Sequence, residues 1–333
     1  MRLIISGFGT VGQGFAEVLA LRKDMLKERF GEEVRIVAAF DSKSYAADEK
    51  GLDPLDLVKT KIETGKVGNR PLKNGMAVLD SVDHDILVEV SPTDIRTGGE
   101  GLKNIRHAIS KGKDVITVNK GPLALEFGKL TGLAGKNGSY LRFEGSVGGA
   151  MPIINLCREN LVGERIKSIM GIFNGTCNFI LSRMDDGMPF EQALKEAQQL
   201  GYAEADPSYD VDGIDTACKV VILANAVFGR DVTFSDVSIT GITEVNEEAV
   251  ALAADSGMVI RLIGEVSKDK LEVAPRLVPK GHALGISGTL NKALIVSDLA
   301  GQVTIAGRGA GRKETASAIL SDLISIMDAR QKK

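Results

Sequence analysis

Apolar residues come in short runs in the first half of this chain. "LIIS" at 3-6 breaks into a glycine turn and leads into "GFGTVGQGFAEVLALRKDML", whose apolar positions recur at helical spacing, so the pattern predicts a strand, a turn and a helix through about Arg29. A second β-branched run, "VRIVAAF" at 34-40, predicts the next strand. From 45 to about 75 the chain is rich in Lys, Asp, Glu and Gly and reads as a surface excursion holding one short helix. Strand patterns return at "DILVEVS" (85-91) and "KDVITVN" (113-119), separated by a helix across about 99-111. Uninterrupted apolar strands alternating with helices predict a doubly wound α/β unit, its parallel sheet covered on both faces.

After "EGSVGGAMPII" the pattern changes. "RIKSIMGIFN" at 165-174 reads as a strand and "CNFILSRM" at 177-184 as a helix, with Thr176 as its N-cap. "PFEQALKEAQQLG" reads as a helix ending on Gly201 as C-cap, and 209-224 as another that is apolar on every face beyond its first turn. "TASAILSDLISI" predicts a last helix that rejoins the first unit. The expected division is a nucleotide-binding domain at 1-140 completed by 305-333, and a second α/β (α+β) domain at 141-304 for catalysis and dimerisation.

Composition narrows the partners. At 333 residues, 44% hydrophobic and 26% charged, the chain suits two ordinary globular domains. A net charge of -3 and a pI near 5.8 leave no footprint for nucleic acid or an anionic membrane, so a small molecule is the expected partner. No apolar run approaches the roughly 18 residues of a membrane span, and the N-terminal run ends in a glycine turn rather than a cleavage site, which points to the cytoplasm. Cys157, Cys177 and Cys218 form no C-x-x-C pair and are expected as reduced, buried thiols.

The candidate chemistry sits at the predicted strand ends. Gly7-x-Gly9-x-x-Gly12, carrying Phe8, Thr10 and Val11 between its glycines, has the dinucleotide fingerprint spacing: a tight turn, close backbone approach to a pyrophosphate, and helix packing on strand. Asp41 ends the second strand where a carboxylate binds a ribose hydroxyl, while Ser42, Lys43 and Ser44 follow and suit a 2′-phosphate, so the pattern admits NAD and NADP alike. Ligands of such sheets gather at the carboxyl ends of strands, here Ser91, Thr93, Asn119 and Lys120.

In the second half, "YAEADPSYDVDG" carries Glu204, Asp206, Asp210 and Asp212 with no basic residue among them, and runs into Asp215 and Lys219 at i and i+4. The helix dipole accounts for acids near a helix start. It does not account for a lysine entering a buried helix, which needs its carboxylate partner or serves proton transfer. The Asn174-Gly175-Thr176 turn offers N-H groups to a carboxylate.

These motifs together resemble the homoserine dehydrogenase family over nearly the whole chain: "GFGTVG", "VNKGPLA", "EGSVGGAMPII", "FNGTCNFILSRM", "LGYAEADPSYDVDGIDTACK" and "GRGAGRKETASAILSDL". The resemblance implies a Rossmann-type first domain and NAD(P)-dependent interconversion of L-homoserine and L-aspartate 4-semialdehyde, on the route to threonine, methionine and isoleucine. It also implies roles. Lys219 would be the general acid/base, Asp215 its orienter, and Glu204 the holder of the substrate ammonium, with Thr176 and Gly175 meeting the substrate end. Lys120 would lie between cofactor and substrate, and Gly201 and Gly309 would line the nicotinamide. Main-chain oxygens of Glu144, Val147, Gly149 and Met151 would bind a monovalent cation such as sodium, and the assembly would be a homodimer or larger. The expected form carries neither an aspartate kinase nor a C-terminal regulatory domain. Two rivals remain at this point: a cysteine-thioester aldehyde dehydrogenase, for which no cysteine has a histidine near it in sequence, and a dinucleotide sensor without turnover.

Overall fold

β-Branched and leucine-rich runs form the strands of the first unit. The computed structural model describes residues 1 to 332. In chain order its first half holds β1 (Arg2–Ser6), α1 (Thr10–Phe30), β2 (Arg35–Phe40), β3 (Ser44–Leu52), α2 (Pro54–Thr64), β4 (Arg70–Pro71), α3 (Gly75–Ser81), β5 (Ile86–Glu89), α4 (Gly99–Ser110), β6 (Asp114–Thr117), α5 (Lys120–Asn137) and β7 (Leu141–Arg142). They build a seven-stranded sheet in the order β4-β3-β2-β1-β5-β6-β7. β2, β1, β5, β6 and β7 run parallel. Alternate residues of β1 feed opposite faces: Leu3 and Ile5 pack with Phe15, Leu19, Ile319 and Leu323, whereas Ile4 packs with Leu87, Ile105 and Leu130. A sheet covered on both faces has no solvated side, which is why its strands read as unbroken apolar runs.

The stretch expected as a surface excursion is instead structured. β3 pairs antiparallel with β2, and β4 with β3, extending the sheet beyond its parallel part. The signal was masked because β3 lies near the edge and carries exposed Asp48, Glu49 and Lys50, the charged residues that keep such strands from pairing further.

The chain separates into two units, Met1–Ser146 with Gly311–Lys333, and Val147–Ala310, where 140 and 305 were the expected boundaries. After α6 (Gly145–Gly148), α7 (Ile153–Asn155) and a π-helical turn at Leu156–Asn160, the second unit runs through β8 (Ile166–Ile172), α8 (Gly175–Asp185), α9 (Phe190–Gln199), α10 (Ser208–Val211) and α11 (Ile214–Phe228). β9 (Ser238–Ile239), α12 (Glu247–Asp255), β10 (Met258–Ser267), β11 (Leu271–Pro279), β12 (Asn291–Ser297) and β13 (Gln302–Gly307) complete it, and α13 (Arg312–Gln331) returns to the first unit. Its six strands lie in the order β13-β12-β8-β10-β11-β9, antiparallel apart from the β11-β9 pair. α11 lies so close to this sheet that a methyl group on Gly264 would come 2.9 Å from both Thr216 and Val220.

Three sequence expectations are corrected in detail. Asn174, not Thr176, is the N-cap of α8, its side chain accepting the Cys177 N-H at 2.8 Å; Asn174 has the extended backbone of an N-cap, and the helix begins at Gly175, one residue ahead of the threonine. α9 ends at Gln199 with Leu200 as C-cap, and Gly201 follows in the left-handed conformation. The helix expected from 209 is two, because Gly213 at φ 81° ends α10 and starts α11. That break separates Asp210 from the α11 dipole.

Candidate active site

In the first unit the glycine turn is built for an anion. Gly7 takes φ 93°, a conformation open to glycine, and a side chain there would lie 2.5 Å from the Ser91 N-H. A methyl group on Gly12 would strike the Gly7 carbonyl, while one on Gly9 would meet nothing within 4 Å, so the turn is packed from below and open above. α1 starts on Gly9 with no side-chain cap and no acid in its first turn, leaving the N-terminal N-H groups and the helix dipole for phosphate. Thr10 is exposed and Val11 half-buried, whereas the Phe8 side chain is wholly buried, which limits Phe8 to backbone contacts.

Asp41 is engaged on both oxygens: Oδ1 accepts the N-H groups of Lys43 and Ser44 at 2.8 and 2.9 Å, and Oδ2 pairs with Lys61 at 2.5 Å. These partners outweigh burial, the largest single influence, and hold the carboxyl below its ordinary range. Lys61 was not foreseen, because it belongs to α2 in the stretch read as an excursion. Ser42 and Lys43 are exposed beside it. Asn119 caps α5 through the Gly121 N-H at 3.2 Å and donates to Ser91 Oγ and the Pro92 carbonyl, both at 3.3 Å, joining the ends of β5 and β6. Thr93 is half-buried in the segment after β5, and Lys120 is half-buried as the first residue of α5.

The second unit holds the lysine. Lys219 and Asp215 face one another on α11, Nζ to Oδ2 at 2.6 Å, with side chains only 8% and 9% exposed. Nζ also donates to the Phe173 carbonyl at 2.6 Å, and Asn291 Nδ2 donates to the same oxygen at 2.8 Å. Asn174 Nδ2 bridges Asp215 at 3.0 Å and Asp210 at 2.6 Å. Burial pushes the Asp210 carboxyl above its ordinary range, and the nearby Asp215 charge adds to the rise. The sequence reading thus missed Asn174, Asp210 and Asn291 as members of the cluster. Gly309 lies directly under Asn291, whose amide would be struck by a methyl group there, and a methyl group on Gly175 would lie 2.5 Å from the Thr289 carbonyl.

Thr176 Oγ1 donates to the Tyr202 carbonyl at 2.7 Å, tying α8 to the loop that carries Glu204. Gln198 holds that loop from the other side through the Glu204 carbonyl at 3.1 Å, and the Glu204 residue itself is exposed, as is Gly201. Cys177 donates to the Asp210 carbonyl at 3.1 Å, and burial, reinforced by Asp210 and Asp215, raises its thiol well above the ordinary range. A thiol held protonated in this way is no thioester nucleophile, and Cys157 and Cys218 are buried as well.

Among the described residues no group of three or more His, Cys, Asp or Glu side chains is arranged to hold a metal ion. Of the main-chain positions expected at a monovalent cation, the Met151 carbonyl accepts the Ile153 N-H at 2.9 Å, Gly149 is left-handed at φ 57°, Val147 is buried, and the Glu144 N-H donates to Asp322 at 2.9 Å. No helix among the described residues is long and apolar enough to cross a membrane.

A phosphate-ready glycine turn on a parallel sheet, with a buried lysine-aspartate pair in a second unit, defines a dinucleotide-dependent oxidoreductase of two units. Comparison with known proteins narrows the class. Residues 7–144 match the family model described as "Homoserine dehydrogenase, NAD binding domain", and residues 152–324 match that of "Homoserine dehydrogenase". The homoserine dehydrogenase of Methanocaldococcus jannaschii is 48% identical over 100% of both chains. The NAD(+)-dependent homoserine dehydrogenase of Pseudomonas canavaninivorans is 36% identical over 100% of this chain and 97% of its own. A hyperthermophilic archaeal homoserine dehydrogenase solved in complex with NADPH superposes with a TM-score of 0.85 at 33% identity, covering 97% of this chain and 96% of that one. The chain belongs to the homoserine dehydrogenase family, NAD(P)-dependent oxidoreductases of amino-acid biosynthesis.

Proposed function

We propose that this protein interconverts L-homoserine and L-aspartate 4-semialdehyde with Lys219 as the general acid/base. The observation that carries the reading is the pinning of Nζ. Two of the three N-H directions of the ammonium are taken by Asp215 and the Phe173 carbonyl, both at 2.6 Å. When the amine is neutral, its two hydrogens occupy those acceptors and its lone pair takes the third direction, toward the substrate hydroxyl. In the oxidising direction that hydroxyl proton passes to Nζ as the carbinol carbon gives up its hydride. In the reducing direction Nζ returns the proton to the forming alkoxide. The dinucleotide, when bound, accepts or supplies the hydride.

Asp215 orients Nζ and contacts the hydroxyl, Glu204 binds the substrate ammonium, and Thr176 with Gly175 receives the carboxylate end. The one Thr176 hydroxyl proton already has the Tyr202 carbonyl and the Asp210 carboxyl as acceptors, so the carboxylate is met by N-H groups of the turn. Lys120 adds a positive charge on the cofactor side, and Gly201 and Gly309 leave room for the nicotinamide. A monovalent cation on the main-chain oxygens of Glu144, Val147, Gly149 and Met151, a homodimeric or larger assembly and a cytoplasmic location complete the reading.

The test is absorbance at the reduced-nicotinamide band with L-homoserine and NAD or NADP, for the parent and Lys219→Ala. Turnover by the parent that falls by about 10²–10⁴ in the variant, with dinucleotide binding retained, is the expected result. A variant that keeps parental kcat removes Lys219 from the chemistry.

A further inference from the structure

Glu89 closes β5, is fully buried, and has no part in the reaction above. Its Oε1 accepts both the Ser91 N-H, at 2.9 Å, and the Ser91 hydroxyl. Its other oxygen lies 3.4 Å from Asn104 Nδ2, which reaches Ser6 Oγ at 3.2 Å, and the Ser6 hydroxyl bonds the carboxyl as well. Ser91 Oγ in turn accepts from Asn119 Nδ2 at 3.3 Å.

One side chain thereby joins the carboxyl ends of three neighbouring strands. Ser6 precedes the glycine turn, Ser91 lies just past β5, and Asn119 caps α5. The backbone of the turn rests on the group that Glu89 holds, since a side chain on Gly7 would lie 2.5 Å from the Ser91 nitrogen. Burial keeps the carboxyl above its ordinary range, and in the neutral form its O-H has the Ser6 oxygen as acceptor. A buried polar hub is worth keeping only when its bonds are made, because an apolar residue fills the same space without the desolvation cost. What the acid adds is a fixed geometry for the residues around it.

We propose that Glu89 is a positioning residue for the dinucleotide, holding the Ser91 backbone and Asn119 so that the glycine turn and the ends of β5 and β6 keep the spacing the cofactor needs. The Ser91 hydroxyl is therefore a relay between Glu89 and Asn119, and the contact Ser91 offers to a ligand comes from its backbone. The inference rests on dinucleotide binding by the first unit and is independent of the role of Lys219.

Binding of NADH and NADPH, followed by fluorescence, and the KM values of dinucleotide and L-homoserine are measured for the parent, Glu89→Gln, Glu89→Leu and Ser91→Ala. Glu89→Leu is expected to raise the dinucleotide Kd and KM about tenfold with homoserine KM within about twofold, a split that general loss of structure does not produce. Glu89→Gln, whose amide oxygen still accepts from Ser91 and whose NH2 donates to Ser6 and, once the Asn104 amide turns over, to its Oδ1, buried without a hydrogen-bond partner in the parent, is expected within about threefold of the parent. Ser91→Ala keeps Glu89 and cuts the relay, raising Kd about fivefold, and it decides the matter if Glu89→Leu does not fold. A folded Glu89→Leu with parental Kd, a Glu89→Gln as impaired as Glu89→Leu, or parental binding by Ser91→Ala overturns the proposal. A parent that binds neither dinucleotide overturns its premise instead, which the same titration reads first.

Discussion

Asp215→Asn removes one charge from the buried pair while keeping the volume of the side chain. The two groups are 2.6 Å apart and almost wholly buried, so Nζ is left with neutral acceptors only. Breaking a buried ion pair from one side costs about 3–5 kcal/mol, because the remaining charge is desolvated without compensation. Domains of this size lose roughly 2–4 °C of Tm per kcal/mol, which translates to a fall of roughly 6–20 °C. Turnover should fall by about 10²–10⁴ as Nζ loses its orientation. Replacing both partners, Lys219→Met with Asp215→Leu, relieves the desolvation of both charges and is expected to bring stability within about 1 kcal/mol of the parent or above it. Asn174 keeps Asp210 as an acceptor at 2.6 Å in that background. Thermal unfolding followed by circular dichroism, beside the turnover assay, tests the set. A single variant as stable as the parent, or a double variant that is as unstable as the single one or still turns over substrate, refutes the view that the pair is kept for chemistry at the expense of stability.

Two further predictions concern packing and pH. Gly309→Ala drives a methyl group into the Asn291 amide, so it should cost about 1–3 kcal/mol and lower kcat through the Phe173 carbonyl that Asn291 shares with Lys219; adding Asn291→Ala should restore stability but not kcat, and equal stability of the single and double variants would contradict the clash. Burial holds the His84 imidazole below the ordinary histidine value, with Nδ1 2.9 Å from the Val82 carbonyl and Nε2 buried without a hydrogen-bond partner. The unfolded chain therefore binds the proton first, and this contribution to stability is present above the unfolded value of 6.5 and lost as pH falls below it. Denaturant midpoints between pH 8 and pH 5 should show a slope that His84→Asn reduces, and an unchanged slope would exclude His84 as its source.

The apolar runs of β1, β2, β5 and β6 were legible because a strand buried on both faces carries its environment in every residue. β3 was not, since its Asp48-Glu49-Lys50 run follows solvent exposure and leaves pairing to the backbone. Asp215 and Lys219 were legible from i,i+4 spacing within a buried helix. Their surroundings were harder to see. The Phe173 oxygen is a backbone group that any residue would offer, and Asn291 reaches it from a strand more than a hundred residues further on. Asp210 read as a helix-dipole acid until the Gly213 break set it against Asn174. Glu89 was hidden in plain view within "DILVEVS", where one acid at the end of an apolar strand looks like its solvated terminus.

The return of α13 to the first unit bears on how the chain is made. Ala316, Ile319, Leu323, Ile326 and Met327 share one core with Phe15 and Leu19, so that core stays unfinished until the whole of Val147–Ala310 has been synthesised. The intervening unit has no such wait, and its own ends are fastened together where the Ala150 N-H meets the Arg308 carbonyl at 3.2 Å. On the ribosome the lysine-bearing unit can therefore fold while the apolar face of α1 still waits for α13, the inverse of the usual N-terminal-first order.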